Sequence, residues 1–222
     1  MDIEIQGTFL VWNHMKTNES ETGLLATGMA VVLPVAGQEV EDLNGLINRI
    51  RSTDNAVRGS AWQSAENAGA GAVKPLSEVM VDPDFEIARA AKRALYRIVR
   101  HAGRPGAKAE AKAVVAQLIP LLKSPQALVR REAAWMLSEI AGDEAIQPMS
   151  ALLKDPEARE DARCALARFS SNKATSAFKK AFMSAPEDFK PALAETLRDR
   201  GVKVKGYPSQ KVVPSRKTTV GV

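Results

Sequence analysis

The sequence has very few of the residues on which disulfides and metal sites depend. Its 222 residues include one cysteine, Cys164, and two histidines, His14 and His101. One thiol cannot form an intramolecular disulfide, and the set is too small for the Cys/His ligands of a structural zinc site. We therefore expect no disulfide framework, no metal and no cofactor.

Catalytic motifs are also missing. The sequence has no Gly-x-Ser-x-Gly elbow and no His-Glu-x-x-His, and GRPGAKA at 103–109 lacks the spacing and the hydroxyl residue of a phosphate-binding loop. Cys164 lies among alanines and leucines, which favours a buried small side chain over a nucleophile. The sequence predicts no catalytic residues and a protein that is not an enzyme.

No hydrophobic run is long enough for a membrane span. The longest, 24–36, is interrupted by Pro34 and falls short of the ~20 residues that cross a bilayer. The chain begins MDIEI, without the basic residues of a secretory signal. We therefore expect a cytoplasmic protein, whereas a translation start at Met15 would favour export.

What the sequence does contain is alanine-rich, charged segments in a repeating layout. Glycine and proline number only 14 and 12, and stretches such as ARAAKRAL and RREAAWML favour helix. Five segments share an apolar helix, a short polar turn and a second helix: 43–65, 73–95, 117–137, 146–166 and 175–197. Such self-similarity is typical of an all-α repeat array.

The spacing of the repeats is regular apart from one gap. Counted between the turn residues Asp54, Pro83, Pro125, Pro156 and Pro186, the separations are 29, 42, 31 and 30 residues. The long gap coincides with HAGRPGAKAEAKA at 101–113, for which we predict a loop-like insertion. The predicted repeat domain covers 39–201.

The middle repeats resemble a known family. LLKSPQALVRREAAWMLSEIAG, followed by DEAIQPMSALLKDPEAREDARCAL, is similar to the bacterial HEAT-like repeats named after phycobilisome lyases, over about residues 40–201. The resemblance implies a right-handed α-solenoid of about five antiparallel helix pairs, an armadillo-like α-α superhelix. It implies a binding role, and it does not imply lyase activity.

A basic stripe runs along the second helix of the second repeat. Its arginines recur at steps of three and four residues, which places them on one helix face: Arg89, Arg93, Arg97, Arg100 and Arg104. Tyr96 lies at its margin. The resemblance would put this face on the concave wall. The stripe is either a solvated face or a binding surface for an anionic partner.

Other arginines recur near the turns. Arg58, Arg130 and Arg159 each follow a turn by four or five residues, and a charged donor there can bond turn carbonyls or an aspartate. We predict a structural ladder between repeats with Asp54, Asp82 and Asp155 as acceptors. Trp62 and Trp135 are predicted to lie in the core or in a groove.

The two ends differ from the repeats. The pattern of residues 1–38 indicates short strands or a poorly ordered extension. Residues 202–222 lack a helical period, which predicts a basic tail that is either solvated or becomes ordered when it binds a partner. Its candidate binding residues are Lys203, Lys205, Lys211, Arg216 and Lys217.

These features favour a non-enzymatic interaction scaffold. The stripe and tail would bind a protein with an acidic surface. The alternative is a nucleic-acid-binding protein that uses the same surfaces, because phosphate contacts need only lysine and arginine. A lyase-type enzyme accessory is the third possibility, and the oligomeric state is open.

Overall fold

The computed structural model describes residues 43–208, and within them the fold is entirely helical, without a β-strand. The ten α-helices are α1 (Leu43–Ile50), α2 (Asn55–Gln63), α3 (Val73–Val79), α4 (Phe85–Ala102), α5 (Lys108–Leu121), α6 (Ala127–Ile140), α7 (Ile146–Ala151), α8 (Arg159–Ala167), α9 (Asn172–Ser184) and α10 (Lys190–Asp199). Short 3-10 helices cover Ala65–Ala68, Ala70–Ala72, Asp143–Ala145 and Leu152–Lys154. The predicted all-α class is confirmed.

The helices pack as five consecutive pairs, from α1/α2 to α9/α10. Each second helix also contacts the second helix of the next pair, so that α2, α4, α6, α8 and α10 form one row. First helices pack likewise, α1 on α3, α3 on α5 and α7 on α9. Because each pair covers its apolar face with its neighbours, the fold is an α-solenoid, as predicted.

Helix α4 is the longest helix and the centre of the candidate site. The side chain of Asp84 caps its N-terminus by accepting hydrogen bonds from the amides of Glu86 and Ile87. One face is buried, with Leu95 and Ile98 almost fully covered. The helix ends at Gly103, where a Cβ would lie 2.7 Å from Cγ2 of Ile140. A glycine at this turn therefore permits close packing of α4 on α6.

The predicted loop-like insertion at 101–113 is mostly helical. His101 and Ala102 still belong to α4, and α5 begins at Lys108, so that only residues 103–107 form the turn. The extra length lies in α4 and α5, which have 18 and 14 residues. Alanine-rich sequence on both sides of the turn accounts for this, because alanine favours continued helix.

The first residues of the predicted tail pack on the last helix pair. Val202 and Val204 lie against the core, and the guanidinium of Arg198 donates to the carbonyls of Gly206 and Tyr207 at 2.7 and 2.6 Å. The ring of Tyr207 meets that of Phe182 edge-on, with centroids 5.6 Å apart. Residues 202–208 thus cover the C-terminal end of the array.

This placement separates the candidate tail residues into two groups. Lys203 and Lys205 belong to the covering segment. Lys211, Arg216 and Lys217 lie outside the described residues, as does the predicted extension at 1–38. Of the helices that the structure describes, none has the length and apolar character needed to cross a membrane.

Candidate partner-binding groove

The arginine stripe borders an open groove of about 740 Å3 beside α4. Trp62 of α2, Met80 after α3 and Leu128 of α6 contribute walls, while α4 supplies residues from Phe85 to Arg100. We call this the α4 groove. Arg104, the last predicted member of the stripe, follows the end of α4 and lies in the turn.

Two exposed apolar side chains line the α4 groove. Phe85 is 70% exposed and Leu128 is 39% exposed. A soluble protein usually buries such side chains, and an apolar patch rimmed by charge is typical of an interaction surface.

Three guanidinium groups stack on aromatic rings along the groove. Arg89 lies over Phe85 at 5.6 Å, Arg93 over Trp62 at 5.0 Å, and Arg100 over Tyr96 at 5.1 Å. Each contact contributes about 0.5–1 kcal/mol at an exposed site and limits the motion of a long side chain. The other predicted tryptophan, Trp135, lies outside the groove and donates to Asp161 at 2.9 Å.

Most of the stripe is neutralised by carboxylates. Arg89 pairs with Glu86, and Arg97 with Glu66. Arg100 bonds Glu139 at 3.2 Å, and Arg104 holds Glu110 in a bidentate contact at 2.7 and 2.8 Å. The hydrogen bond from Arg104 lowers the pKa of Glu110. The stripe is therefore a row of ion pairs rather than a bare cationic surface.

Arg93 is the exception in this row. Within residues 43–208, no carboxylate lies at ion-pair distance from it, and its one charge-related contact there is the face of Trp62. An aromatic face leaves the guanidinium N–H donors at the edge of the group available. Arg93 thus supplies an unneutralised donor in the middle of the groove.

A buried glutamate of α6 lies beneath the groove. Glu132 is only 8% exposed, accepts a hydrogen bond from the Tyr96 hydroxyl at 3.0 Å and pairs with Lys92. Burial, followed by the charge of Glu132, raises the pKa of Tyr96 well above its usual range. Sequence reasoning missed Glu132 because it is 36 residues from Tyr96, and neither pattern nor spacing links them.

The contact between Tyr96 and Glu132 predicts a specific alkaline titration. In a Tyr207→Phe background, Tyr96 is the one remaining tyrosine, and it should ionise well above the ordinary value of about 10. Glu132→Gln should move this ionisation part of the way back, because burial of Tyr96 remains. Tyrosinate absorbance against pH measures both. Because the pKa of Tyr96 is raised in the folded state, its contribution to the free energy of unfolding is present below pH ~10 and is lost as the pH rises above that value. An ionisation of Tyr96 at its ordinary pH would contradict the contact with Glu132.

The predicted ladder is most complete at Arg130, which is only 13% exposed at its side chain. Its guanidinium donates to the carbonyls of Ser124 and Pro125 in its own turn at 2.9 and 3.0 Å. It also donates to Asp155 of the next repeat at 2.7 Å and to Glu157 at 3.1 Å. Arg130 therefore links two consecutive turns.

At the other ladder positions, Arg58 bonds only its own turn, whereas Arg159 links to the next turn through an aspartate other than the predicted acceptors. Arg58 is buried and bonds the Ser52 carbonyl and the Asn55 side chain within its own turn. Arg159 pairs with Asp188 of the following turn and stacks on Phe189.

Two of the predicted aspartate acceptors have local roles instead. Asp54 caps α2 by accepting from the Ala56 amide at 2.7 Å, and Asp82 accepts from the Asp84 amide at 3.0 Å. Both carboxylates bond backbone amides of their own turn, a local pairing that competes with a contact to an arginine of the preceding repeat.

The described part of the chain shows no group of three or more metal-ligating side chains. Cys164 is partly buried, and burial raises the pKa of its thiol. A raised thiol pKa reduces the thiolate population on which nucleophilic chemistry depends.

Comparison with known proteins agrees with this architecture. A family model described as HEAT repeats matches residues 97–168 and 115–198. Residues 97–198 are therefore HEAT-like repeats. The matched residues extend from the middle of α4 to the end of α10. The match is to HEAT repeats in general, so the closer likeness to phycobilisome-lyase-type repeats stays a prediction. Repeats of this kind generally mediate protein–protein interaction, and their solenoid fold is typically non-enzymatic.

Several similar solved structures are engineered proteins. An engineered protein is 25% identical over 71% of this chain and 78% of its own, with a TM-score of 0.38. A designed armadillo repeat protein in complex with the peptide (KR)4 is 19% identical over 71% and 81%, with a TM-score of 0.41. A computationally designed armadillo repeat protein for modular peptide recognition is 22% identical over 71% and 81%, at 0.40. No curated protein matches the chain significantly.

Proposed function

We propose that this HEAT-like protein is a non-enzymatic interaction scaffold and that the α4 groove binds an acidic segment of a partner protein. The observation that carries the proposal is the combination of two exposed apolar side chains that line the groove, Phe85 and Leu128, with arginines held on aromatic rings. Aromatic and arginine side chains account for much of the energy of protein interfaces. Lys203 and Lys205 are proposed as secondary contacts.

The ion pairs along the groove are compatible with an acidic partner. Pairs between exposed side chains contribute about 0–1 kcal/mol, and the side chains of Arg89, Arg97 and Arg100 are 44%, 45% and 67% exposed. A partner carboxylate can therefore replace Glu86 or Glu66 at small cost. Because exchange yields little net electrostatic energy, the apolar contacts and Arg93 must supply most of the affinity.

The same ion pairs weigh against the nucleic-acid alternative. Phosphate binding depends on net positive charge along a path, and here acidic side chains alternate with the arginines. Glu66, Glu86 and Glu139 would face a phosphate backbone that followed the groove. Protein binding is therefore the better supported class.

The test is capture of partners from native lysate by the full chain, with and without nuclease. Arg93→Ser combined with Phe85→Ser should reduce a nuclease-resistant protein partner by about tenfold or more, the loss of ~1.4 kcal/mol. Neutralising acidic residues of the captured protein should have the same effect.

Matched controls use the same substitutions outside the groove. Arg168 is exposed at the end of α8, and Met183 is 82% exposed on α9. Arg168→Ser combined with Met183→Ser should leave capture unchanged. Loss of all binding after nuclease treatment, or equal loss in both double variants, would overturn the proposal.

A further inference from the structure

We infer that the α4 groove recognises a short linear motif with two determinants, an apolar side chain and a single carboxylate about four residues apart in an extended segment. The inference rests on the proposed function and makes it more specific. It predicts which acidic segments bind, and that a general run of acidic residues is not required.

The apolar determinant follows from the distribution of exposed hydrophobic side chains. Five large ones are exposed among the described residues: Val57, Val81, Phe85, Leu128 and Met183. Two of these five, Phe85 and Leu128, line the α4 groove together with Met80. A partner's aliphatic or aromatic side chain placed there would cover surface that the fold leaves in contact with water, which is favourable by ~25 cal/mol per Å2 of apolar area.

The acidic determinant follows from Arg93. A carboxylate fits a guanidinium in a bidentate contact, and Arg93 is already oriented by Trp62. The neighbouring arginines, Arg89 and Arg97, are occupied by Glu86 and Glu66. A partner carboxylate that replaces either of them gains little net electrostatic energy, because it exchanges one exposed ion pair for another. The geometry therefore selects one carboxylate at this position.

The spacing follows from helix geometry. Phe85 and Arg93 are eight residues apart on α4, which corresponds to about 12 Å along the axis at ~1.5 Å per residue. An extended chain advances ~3.3 Å per residue. About four residues of an extended partner segment therefore separate the apolar side chain from the carboxylate.

The experiment is selection of a random displayed peptide library on the full chain. On the wild type we expect peptides with an apolar residue and an Asp or Glu about three to five positions apart. On Arg93→Ser the acidic preference should disappear while the apolar preference remains, and on Phe85→Ser the reverse. Arg168→Ser and Met183→Ser should give the wild-type motif. Circular dichroism confirms that each variant is folded.

A consensus peptide then gives the size of each effect by fluorescence anisotropy. Arg93→Ser and Phe85→Ser should each weaken its binding by about tenfold. An acidic preference that survives Arg93→Ser, or enriched peptides without a fixed spacing, overturns the two-determinant motif.

The outcomes also separate this inference from the proposed function. If no peptide is enriched while capture of a lysate partner still depends on Arg93 and Phe85, the partner presents a folded surface: the motif is wrong and the proposed function stands. If capture does not depend on these residues either, both fail.

Discussion

Replacement of Arg130 by alanine is expected to lower the free energy of unfolding by about 2–4 kcal/mol. The change removes a mostly buried guanidinium, which leaves two turn carbonyls without this donor and Asp155 with the Glu157 amide but no cationic partner in its own contact. Unsatisfied buried acceptors cost ~1–3 kcal/mol each at most, and a buried ion pair that loses one partner costs ~3–5 kcal/mol. The partial exposure of Arg130 and Asp155 reduces the expected total. Urea unfolding followed by circular dichroism measures the change.

The adjacent residue provides the control. Arg131 is paired with Asp161 at 2.9 Å, but its side chain is 46% exposed, so that Arg131→Ala should cost only about 0–1 kcal/mol. A double-mutant cycle of Arg130→Ala with Asp155→Ala should give a coupling energy above ~0.5 kcal/mol. Equal effects of the two arginine substitutions would show that Arg130 does not link the repeats.

The same contact makes a stability contribution that depends on pH. Burial raises the pKa of Asp155, but hydrogen bonds from Arg130 and from the Glu157 amide outweigh it, so that the pKa lies below its usual range. A lowered folded-state pKa adds stability above the unfolded value of about 3.9, and this stability is lost as the pH falls below that value. Arg130→Ala should therefore lose less stability than the wild type over this acidic range.

The fold was predictable because its determinants are local. Helix period, alanine content and turn residues such as Asp54 and Pro83 are each contained within one repeat, and they indicated five helix pairs. The extent of α4 was not predictable from the sequence. Residues 101–113 contain glycine and proline, which indicate a turn, but also alanines, which extend both flanking helices. The covering role of Tyr207 was missed for a related reason, because it depends on contacts with Phe182 of α9 and with Glu187 in the turn before α10.

For the contacts of the candidate site, the sequence predicted the arginines but not the residues that they contact. The face of α4 that carries the arginines follows from their three- and four-residue steps. Two of their acidic partners do not, because Glu66 and Glu139 come from other repeats and are 31 and 39 residues away in sequence from Arg97 and Arg100. The net charge of α4 alone therefore overestimates the positive charge of the groove. That Arg93 lacks a carboxylate partner among the described residues could be recognised only from the positions of side chains in neighbouring repeats.

When a buried residue is truncated, its position along the array should determine which helix pairs unfold locally. Phe178 of α9 and Leu137 of α6 are both fully buried, and truncation to alanine should cost about 3–5 and 2–5 kcal/mol. In a solenoid each repeat contacts only its neighbours, so a terminal pair can open alone whereas a central pair supports both sides. Phe178→Ala should therefore expose α9 and α10 to hydrogen exchange while α3 to α6 stay protected.

Leu137→Ala should instead accelerate exchange throughout the α4 groove, because α6 packs on α4, α5 and α8, and it should abolish partner capture. Phe178→Ala should leave capture intact at temperatures where only the last pair is open. Met183→Ala, at an exposed position of α9, should change neither exchange nor stability by more than ~0.5 kcal/mol. Simultaneous opening of α3 to α10 in Phe178→Ala would mean that the five pairs unfold as a single cooperative unit, and the groove would then depend on the terminal pair as strongly as on α6.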